Sequence, residues 1–288
     1  MRPHNLTTRI FLDGGDPAQT RRVIGALGFL DGQTTNPTLI AKNPEAAARL
    51  AKGLRFTPDE ILDFYREVVT EISGLIPDGS VSIEVYADKN TSAGRMLAEA
   101  GRFFSWIANA HVKFPVTKAG LEAAGRAMAE GLRVNMTLCF TQEQAAAVYA
   151  ATRGARRGDV FVSPFVGRLD DRGENGMDLI AGVARMFAGS DGHVELLSAS
   201  VRTMEHFLYS LALGADIVTA PGSLLMQWAA DGLPVPGADY AYPAGALRKI
   251  AYRELSLDKP LEEYDIAHEL TVAGMERFSA DWNALIKR

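Results

Sequence analysis

The sequence predicts an α/β protein built as a (β/α)8 TIM barrel with a parallel eight-stranded sheet. Three observations lead there. Eight short β-branched or apolar runs recur along the chain, each followed by helix-start signals. The chain has 288 residues, enough for one barrel domain of about 250 residues with additions. No G-x-G-x-x-G follows the first run, so the mark of an open dinucleotide-binding sheet is missing.

In order, the predicted strands are Arg9–Asp13, Gly32–Asn36, Val81–Tyr86, His111–Pro115, Arg133–Leu138, Asp159–Pro164, His193–Ser200 and Asp216–Ala220. Strands that alternate with helices imply right-handed parallel crossovers. Asp16-Pro17 opens the first helix. Pro37 to Ser80 is long enough for two helices. One helix starts at Thr57-Pro58-Asp59-Glu60, where Thr57 can cap, Pro58 suits the first helical position and Glu60 closes a capping box. Thr141-Gln142-Glu143-Gln144 is a further start signal, and Gly101 and Gly214 sit where helices are expected to stop. Residues 222–288 form a C-terminal helical extension of the same domain, with Pro/Gly punctuation first and a helix ending at Ala280–Lys287.

Composition narrows the function. The chain is 47% apolar and 23% charged, with a formal net charge of −5 and no Lys/Arg-rich run. That disfavours a nucleic-acid partner. The polar N-terminus, Met1 to Thr8, has no apolar core, and no long uncharged apolar stretch predicts a membrane span. A cytoplasmic protein is expected. The single cysteine, Cys139, lies between Leu138 and Phe140 and reads as a buried apolar residue. His4, His111, His193, His206 and His268 have no metal-ligand spacing, so no metal is expected.

Alternate residues of a barrel strand point inward, and active sites gather at the C-terminal mouth. Read with period two, seven strands carry inward polar residues near that end: Asp13, Thr34-Thr35-Asn36, Glu84, Lys113, Asn135 with Thr137, Ser163, and Ser198 to Ser200 with Arg202 beyond. A packed interior would place Val, Ile or Leu there, because burying a lone lysine or glutamate is costly. Lys113 is the sharpest of these, an inward amine between Val112 and Phe114 with Pro115 ending the strand. Free lysine has a pKa of about 10.4, and a nucleophilic amine must be neutral. Desolvation favours the neutral form and a nearby Glu84 carboxylate opposes it. Glu84 is therefore expected to act through a water or hydrogen bond, not as a tight ion pair.

In this order these residues resemble the transaldolase family, over roughly residues 9 to 221. The matching blocks include Ile10-Phe11-Leu12-Asp13, Asp31-Gly32-Gln33-Thr34-Thr35-Asn36-Pro37, Ser82-Ile83-Glu84-Val85, Val112-Lys113-Phe114-Pro115 and Val134-Asn135-Met136-Thr137-Leu138. Val162-Ser163-Pro164-Phe165-Val166-Gly167-Arg168-Leu169-Asp170-Asp171 and Ser198-Ala199-Ser200-Val201-Arg202 complete the site blocks. The resemblance implies a cofactor-free class I aldol mechanism in the pentose phosphate pathway. A dihydroxyacetone unit passes from a ketose phosphate to an aldose phosphate through a Schiff base on Lys113. It implies catalytic roles for Lys113, Asp13, Glu84 and Thr137. It implies substrate contacts from Thr34, Asn36, Asn135, Ser163 and Phe165, with Arg168, Ser200 and Arg202 at the phosphate. It also implies a homo-oligomer, since relatives form dimers or larger rings.

A sister branch releases free dihydroxyacetone from fructose 6-phosphate. That branch usually has Gln at the Glu84 position and Tyr at the Phe165 position, so this chain looks like the transferase branch. A third reading is a sugar-phosphate binding protein without catalysis; it would lack the lysine or the acids, and all three are present. Gly14-Gly15 replaces the hydroxyl residues often found after the aspartate, a departure expected to loosen that loop.

Overall fold

Eight strands close into an all-parallel barrel in sequence order, in a computed structural model that describes residues 1–287. The strands are β1 (Arg9–Asp13), β2 (Gly32–Thr34), β3 (Ser80–Glu84), β4 (Ala110–Pro115), β5 (Val134–Cys139), β6 (Val160–Pro164), β7 (Val194–Ser198) and β8 (Ile217–Pro221). β1 pairs with both β2 and β8, so no edge is left open. The helices are α1 (Pro17–Leu27), α2 (Pro37–Ala41), α3 (Pro44–Ala51), α4 (Pro58–Leu75), α5 (Ala93–Phe104), α6 (Lys118–Ala129), α7 (Gln142–Ala151), α8 (Val166–Asp170), α9 (Gly176–Phe187), α10 (Met204–Ala212), α11 (Gly222–Ala230) and α12 (Glu269–Leu285). Among the described residues none of them is long and apolar enough to cross a membrane.

The caps explain the boundaries. Asp16, Asn36, Asn43, Thr57, Thr117, Thr141 and Thr203 each accept a backbone N–H at the start of their helix. Each such cap is worth about 1 kcal/mol. Thr57 and Glu60 form the expected capping box. Four expectations need correction. Strand 2 ends at Thr34, because Asn36 turns to cap α2. Three helices, not two, lie between β2 and β3, since Asn36-Pro37 and Asn43-Pro44 each start a short one. Gly101 lies inside α5, whose apolar face holds the chain helical through Phe104, whereas Gly214 does follow a helix end with φ +66°. The segment after α11 is largely irregular from Asp231 to His268, broken only by a 3-10 turn at Leu261–Glu263, so the extension is α-helical only at its two ends.

The interior is stacked in three levels. At the N-terminal end Glu195 is buried and pairs with Arg9 at 2.8 Å and Arg157 at 3.3 Å. His111 stacks on Phe161 at 4.1 Å and lies between Ser80 Oγ and the Gly158 carbonyl. Burial pushes that imidazole down to about 3, so it stays neutral. The middle level is apolar, built from Phe11, Phe161, Leu197 and Ile217. Gly32 makes room for it: a Cβ there would lie 2.5 Å from the Phe11 ring. The third level, at the C-terminal mouth, is polar.

α12 lies across that mouth. Its Thr271 hydroxyl donates to the Leu138 carbonyl, and Gly274 sits against the Leu138 side chain, where a Cβ would be 2.6 Å from Cδ2. Asp281 accepts from the Thr38 hydroxyl, and Phe56 exchanges backbone hydrogen bonds with Leu285 and Lys287. Leu138 adopts φ +60°, where the β5–β6 register shifts. The strand was expected to run regularly to Leu138. A branched residue in that region is rare and strained; here the bulge turns Leu138 toward α12.

Candidate active site

Parallel pairing sets Glu84 of β3 beside Lys113 of β4. Lys113 Nζ lies 2.8 Å from Glu84 Oε2 and donates to the Thr35 carbonyl at 3.0 Å. Both side chains are 4% exposed. The expectation that Glu84 would avoid a tight ion pair is therefore overturned. Two opposite charges this close and this deeply buried serve as each other's counterion. Burial holds the Glu84 carboxyl above its usual range, and Lys113 partly offsets this. No donor other than Lys113 reaches Oε2 among the described residues, and the buried Thr137 Oγ1 has no hydrogen-bond partner. Tyr65 of α4 holds the β2 and β3 ends together. Its hydroxyl accepts from the Glu84 backbone N–H at 3.0 Å and bonds Thr35 Oγ1 at 2.7 Å.

Asp13 ends β1 at the same level. Its Oδ1 accepts from Thr34 Oγ1 at 2.8 Å, and Thr34 in turn is 2.7 Å from Thr219 Oγ1 of β8. Burial raises the Asp13 carboxyl above its ordinary value, opposed first by Lys113 and then by the Thr34 bond. The loop after it is pinned, contrary to expectation. Gln33 Nε2 donates to Gly14 O at 2.8 Å and Asn43 Nδ2 to Gly15 O at 2.7 Å. A Cβ on Gly15 would lie 2.8 Å from the Leu39 carbonyl oxygen, so glycine here permits close packing rather than slack.

A cavity of about 320 Å³ opens above these groups, lined in part by Asp13, Thr34, Asn36, Lys113, Thr137, Ser163 and Phe165. Asn36 Oδ1 is used in capping α2, which leaves its amide N–H₂ for the cavity. Asn135 was expected to touch substrate, yet it is fully buried beneath the lining. Its Nδ2 donates to Ser82 Oγ at 3.0 Å and its Oδ1 accepts from Ser163 Oγ at 2.6 Å. Both ends are occupied within the barrel, so it orients Ser163. Phe165 packs edge-on against Phe140 at 5.8 Å.

At the rim Arg168, Ser200 and Arg202 all line the cavity, as expected. Ser200 has φ +56°, a left-handed conformation unusual outside glycine. Gly167 lets the chain pass: its N–H donates to Ser200 O at 3.0 Å, and a Cβ there would meet the Arg202 side chain. Arg202 departs from expectation in one respect. Both its terminal nitrogens donate to Asp171, one of them at 2.7 Å, so its fork is filled by a carboxylate. Thr219, Lys42 and Arg277 are among the lining residues that escaped the sequence reading. Thr219 was available to the same period-two argument on β8, counted from Ile217. Lys42, at the C-terminal cap of α2, and Arg277 of α12 had no strand pattern to mark them.

A parallel eight-stranded barrel whose mouth holds a buried lysine–glutamate pair under a cationic rim has the form of a barrel enzyme. The comparisons make this specific: the chain belongs to the transaldolase/fructose-6-phosphate aldolase family, whose sequence model matches residues 10–288. It is 33% identical over 279 residues to a probable transaldolase of Dehalococcoides mccartyi, covering 97% of this chain and 100% of that protein. It is 35% identical over 274 residues to a probable transaldolase of Brucella melitensis, covering 95% and 96%. A probable transaldolase of Brucella ovis is 39% identical over 217 residues, covering 75% of this chain and 87% of that one.

Proposed function

We propose that this chain is a transaldolase that carries a dihydroxyacetone unit from a ketose phosphate to an aldose phosphate as a Schiff base on Lys113. The observation that carries this reading is the buried pair of Lys113 Nζ and Glu84 Oε2, 2.8 Å apart on the cavity floor. Moving one proton from Nζ to Oε2 gives a neutral amine and a carboxylic acid side by side. Burial raises the Glu84 carboxyl and so lowers the cost of that transfer.

The amine attacks C2 of fructose 6-phosphate or sedoheptulose 7-phosphate. Glu84 and Thr137, through a bound water, return protons to the carbinolamine so that hydroxide leaves as water. Thr137 has a buried hydroxyl without a partner and Glu84 Oε2 takes no donor but Lys113, which suits both to holding such a water. Asp13 takes the C4 hydroxyl proton as the C3–C4 bond breaks, and the electron pair flows into the iminium. The aldose phosphate leaves, and the enamine waits for the next aldehyde. Asn36 and Ser163 bind sugar hydroxyls.

Borohydride added with fructose 6-phosphate should leave a reduced three-carbon unit on the peptide that contains Lys113. A label on any other lysine, or none, rejects the reading. Phe165 bears on the branch. It has no hydroxyl to order a proton donor at the enamine, which favours transfer over release. Phe165→Tyr should raise the ratio of free dihydroxyacetone release to transfer onto erythrose 4-phosphate by about 10-fold, a modest share of what one positioned proton donor supplies. An unchanged ratio would show that the ring position does not select the branch.

A further inference from the structure

We infer that Tyr65 is a positioning residue for the Lys113 amine: its hydroxyl replaces one rung of the β2–β3 ladder and so frees the Thr35 carbonyl to hold Nζ. This rests on the transaldolase reading for the task of that amine, and it gives a role in the site to a side chain carried by α4, a helix outside the barrel.

The ladder itself points to the replaced rung. Rungs of a parallel pair are evenly spaced and recur every second residue of each strand. Ser80 N–H donates to Asp31 O at 3.1 Å, and Thr35 N–H donates to Ser82 O at 3.1 Å. Counting on from Asp31 and Ser80 in steps of two, in the register that sets Thr34 beside Ser82, brings Glu84 N–H to Thr35 O. Both groups are engaged elsewhere. Glu84 N–H donates to Tyr65 Oη at 3.0 Å, and Thr35 O accepts from Lys113 Nζ at 3.0 Å. On its other edge β3 stays zipped, with Val85 N–H donating to Lys113 O at 3.2 Å. The ladder therefore opens only on the edge where the amine takes its acceptor.

The direction of each bond in the replacement is fixed. A backbone N–H only donates and a carbonyl only accepts. Thr35 Oγ1 gives its hydrogen to Ser82 O at 2.7 Å. Tyr65 Oη accepts from Glu84 N–H, so its own hydrogen goes to Thr35 Oγ1, 2.7 Å away. Burial pushes the Tyr65 phenol up, so the hydroxyl keeps the hydrogen that this chain requires. The ring is fully buried, edge-on to Phe103 and Trp106 at 5.9 Å each and tilted against Trp282 at 5.8 Å. One seated hydroxyl thus touches both residues that hold Nζ: Glu84 through its backbone and Thr35 through its side chain. A lysine stem is long and flexible, and two anchors on its nitrogen keep it aimed at one point of the cavity.

Tyr65→Phe removes the hydroxyl and keeps the ring. Glu84 N–H should then close on Thr35 O, and Nζ should lose that acceptor; a crystal structure of the variant reads both contacts. Timed borohydride quenching with fructose 6-phosphate should show imine formation on Lys113 slowed about 5- to 10-fold, the effect of one neutral hydrogen bond. The fructose 6-phosphate concentration that half-saturates this rate should stay within about twofold, because Tyr65 does not line the cavity. Val69→Ala, one turn further along α4 and fully buried, separates stability from aim. It should lower Tm through the space it leaves, with imine formation within about twofold of wild type. An unchanged contact between Nζ and Thr35 in Tyr65→Phe, imine formation within about twofold of wild type, a change confined to half-saturation, or an equal slowing in Val69→Ala overturns the assignment. Failure of the parent reading is seen separately, as absence of borohydride trapping on Lys113 in the wild-type protein.

Discussion

Lys113→Met is expected to lower transfer activity by at least about 10⁴-fold, the order of loss when a covalent nucleophile is removed from a working site. The chain should stay folded. Methionine is close in length and fills the same space between β3 and β5. The cost is to Glu84, which loses its counterion inside the barrel. Breaking a buried pair costs about 3–5 kcal/mol when the remaining charge cannot be neutralised. Glu84 can be neutralised, because burial already raises its carboxyl, and a proton removes the charge. The sign can be checked. A carboxyl whose folded pKa lies above its unfolded value binds its proton more tightly when folded. It therefore stabilises at low pH and loses that stability as pH rises. Removing Lys113 takes away the influence that opposes the rise, so Lys113→Met should be relatively more stable near pH 5 than near pH 8. Thermal unfolding at the two pH values measures this, and Lys113→Met with Glu84→Gln should remove the difference. Substantial turnover in a folded Lys113→Met protein would end the Schiff-base account.

Asp13→Asn is expected to slow turnover by about 10²- to 10⁴-fold, the span of general acid–base contributions. Its failure should have a particular form. Asparagine keeps the shape and can still accept from Thr34 Oγ1. Lys113 and Glu84 are untouched, so the imine still forms, and only C3–C4 cleavage stalls. Borohydride should then trap the intact six-carbon phosphate adduct in place of the three-carbon unit, a difference that peptide mass reads directly. The pH profile follows from the same group. Asp13 works as a base only when ionised, and burial raises its pKa above the ordinary 3.8. Wild-type activity should therefore fall as pH drops through a value above 3.8, and this acid limb should be missing in Asp13→Asn. Trapping of the three-carbon unit in the variant would assign the cleavage step to another residue.

The barrel was legible because its signals are local and repeated. Val112, Lys113 and Phe114 alternate with period two, and that alone sets the amine inward. Thr57-Pro58-Asp59-Glu60 announces its helix from four residues. The polar mouth was legible for the same reason: Asp13, Glu84 and Lys113 lie at the ends of strands, where a packed core would show none of them. What escaped depends on distance along the chain. Whether Glu84 touches Lys113 is settled by the register of β3 on β4 and by how deeply the closed barrel buries both side chains. That Arg202 is occupied depends on Asp171, contributed by a different loop. Arg277 lies 75 positions beyond Arg202 on a helix with polar and apolar residues around it, and only the fold brings it to the rim. Leu138 and Ser200 are ordinary letters in left-handed positions, and no composition rule marks them.

The file of oxygens from Thr219 through Thr34 to Asp13 has a polarity. While Asp13 is an anion, the Thr34 hydrogen points toward it, and the Thr219 hydrogen can follow in the same sense. Once the carboxylate has captured a proton it can become the giver, and both hydroxyls are released to swing the other way. No heavy atom need move for this reversal. On the mechanism we propose, the base resets like a turnstile, loading on one half of the cycle and unloading on the other, with its readiness stored in the orientation of two hydrogen atoms.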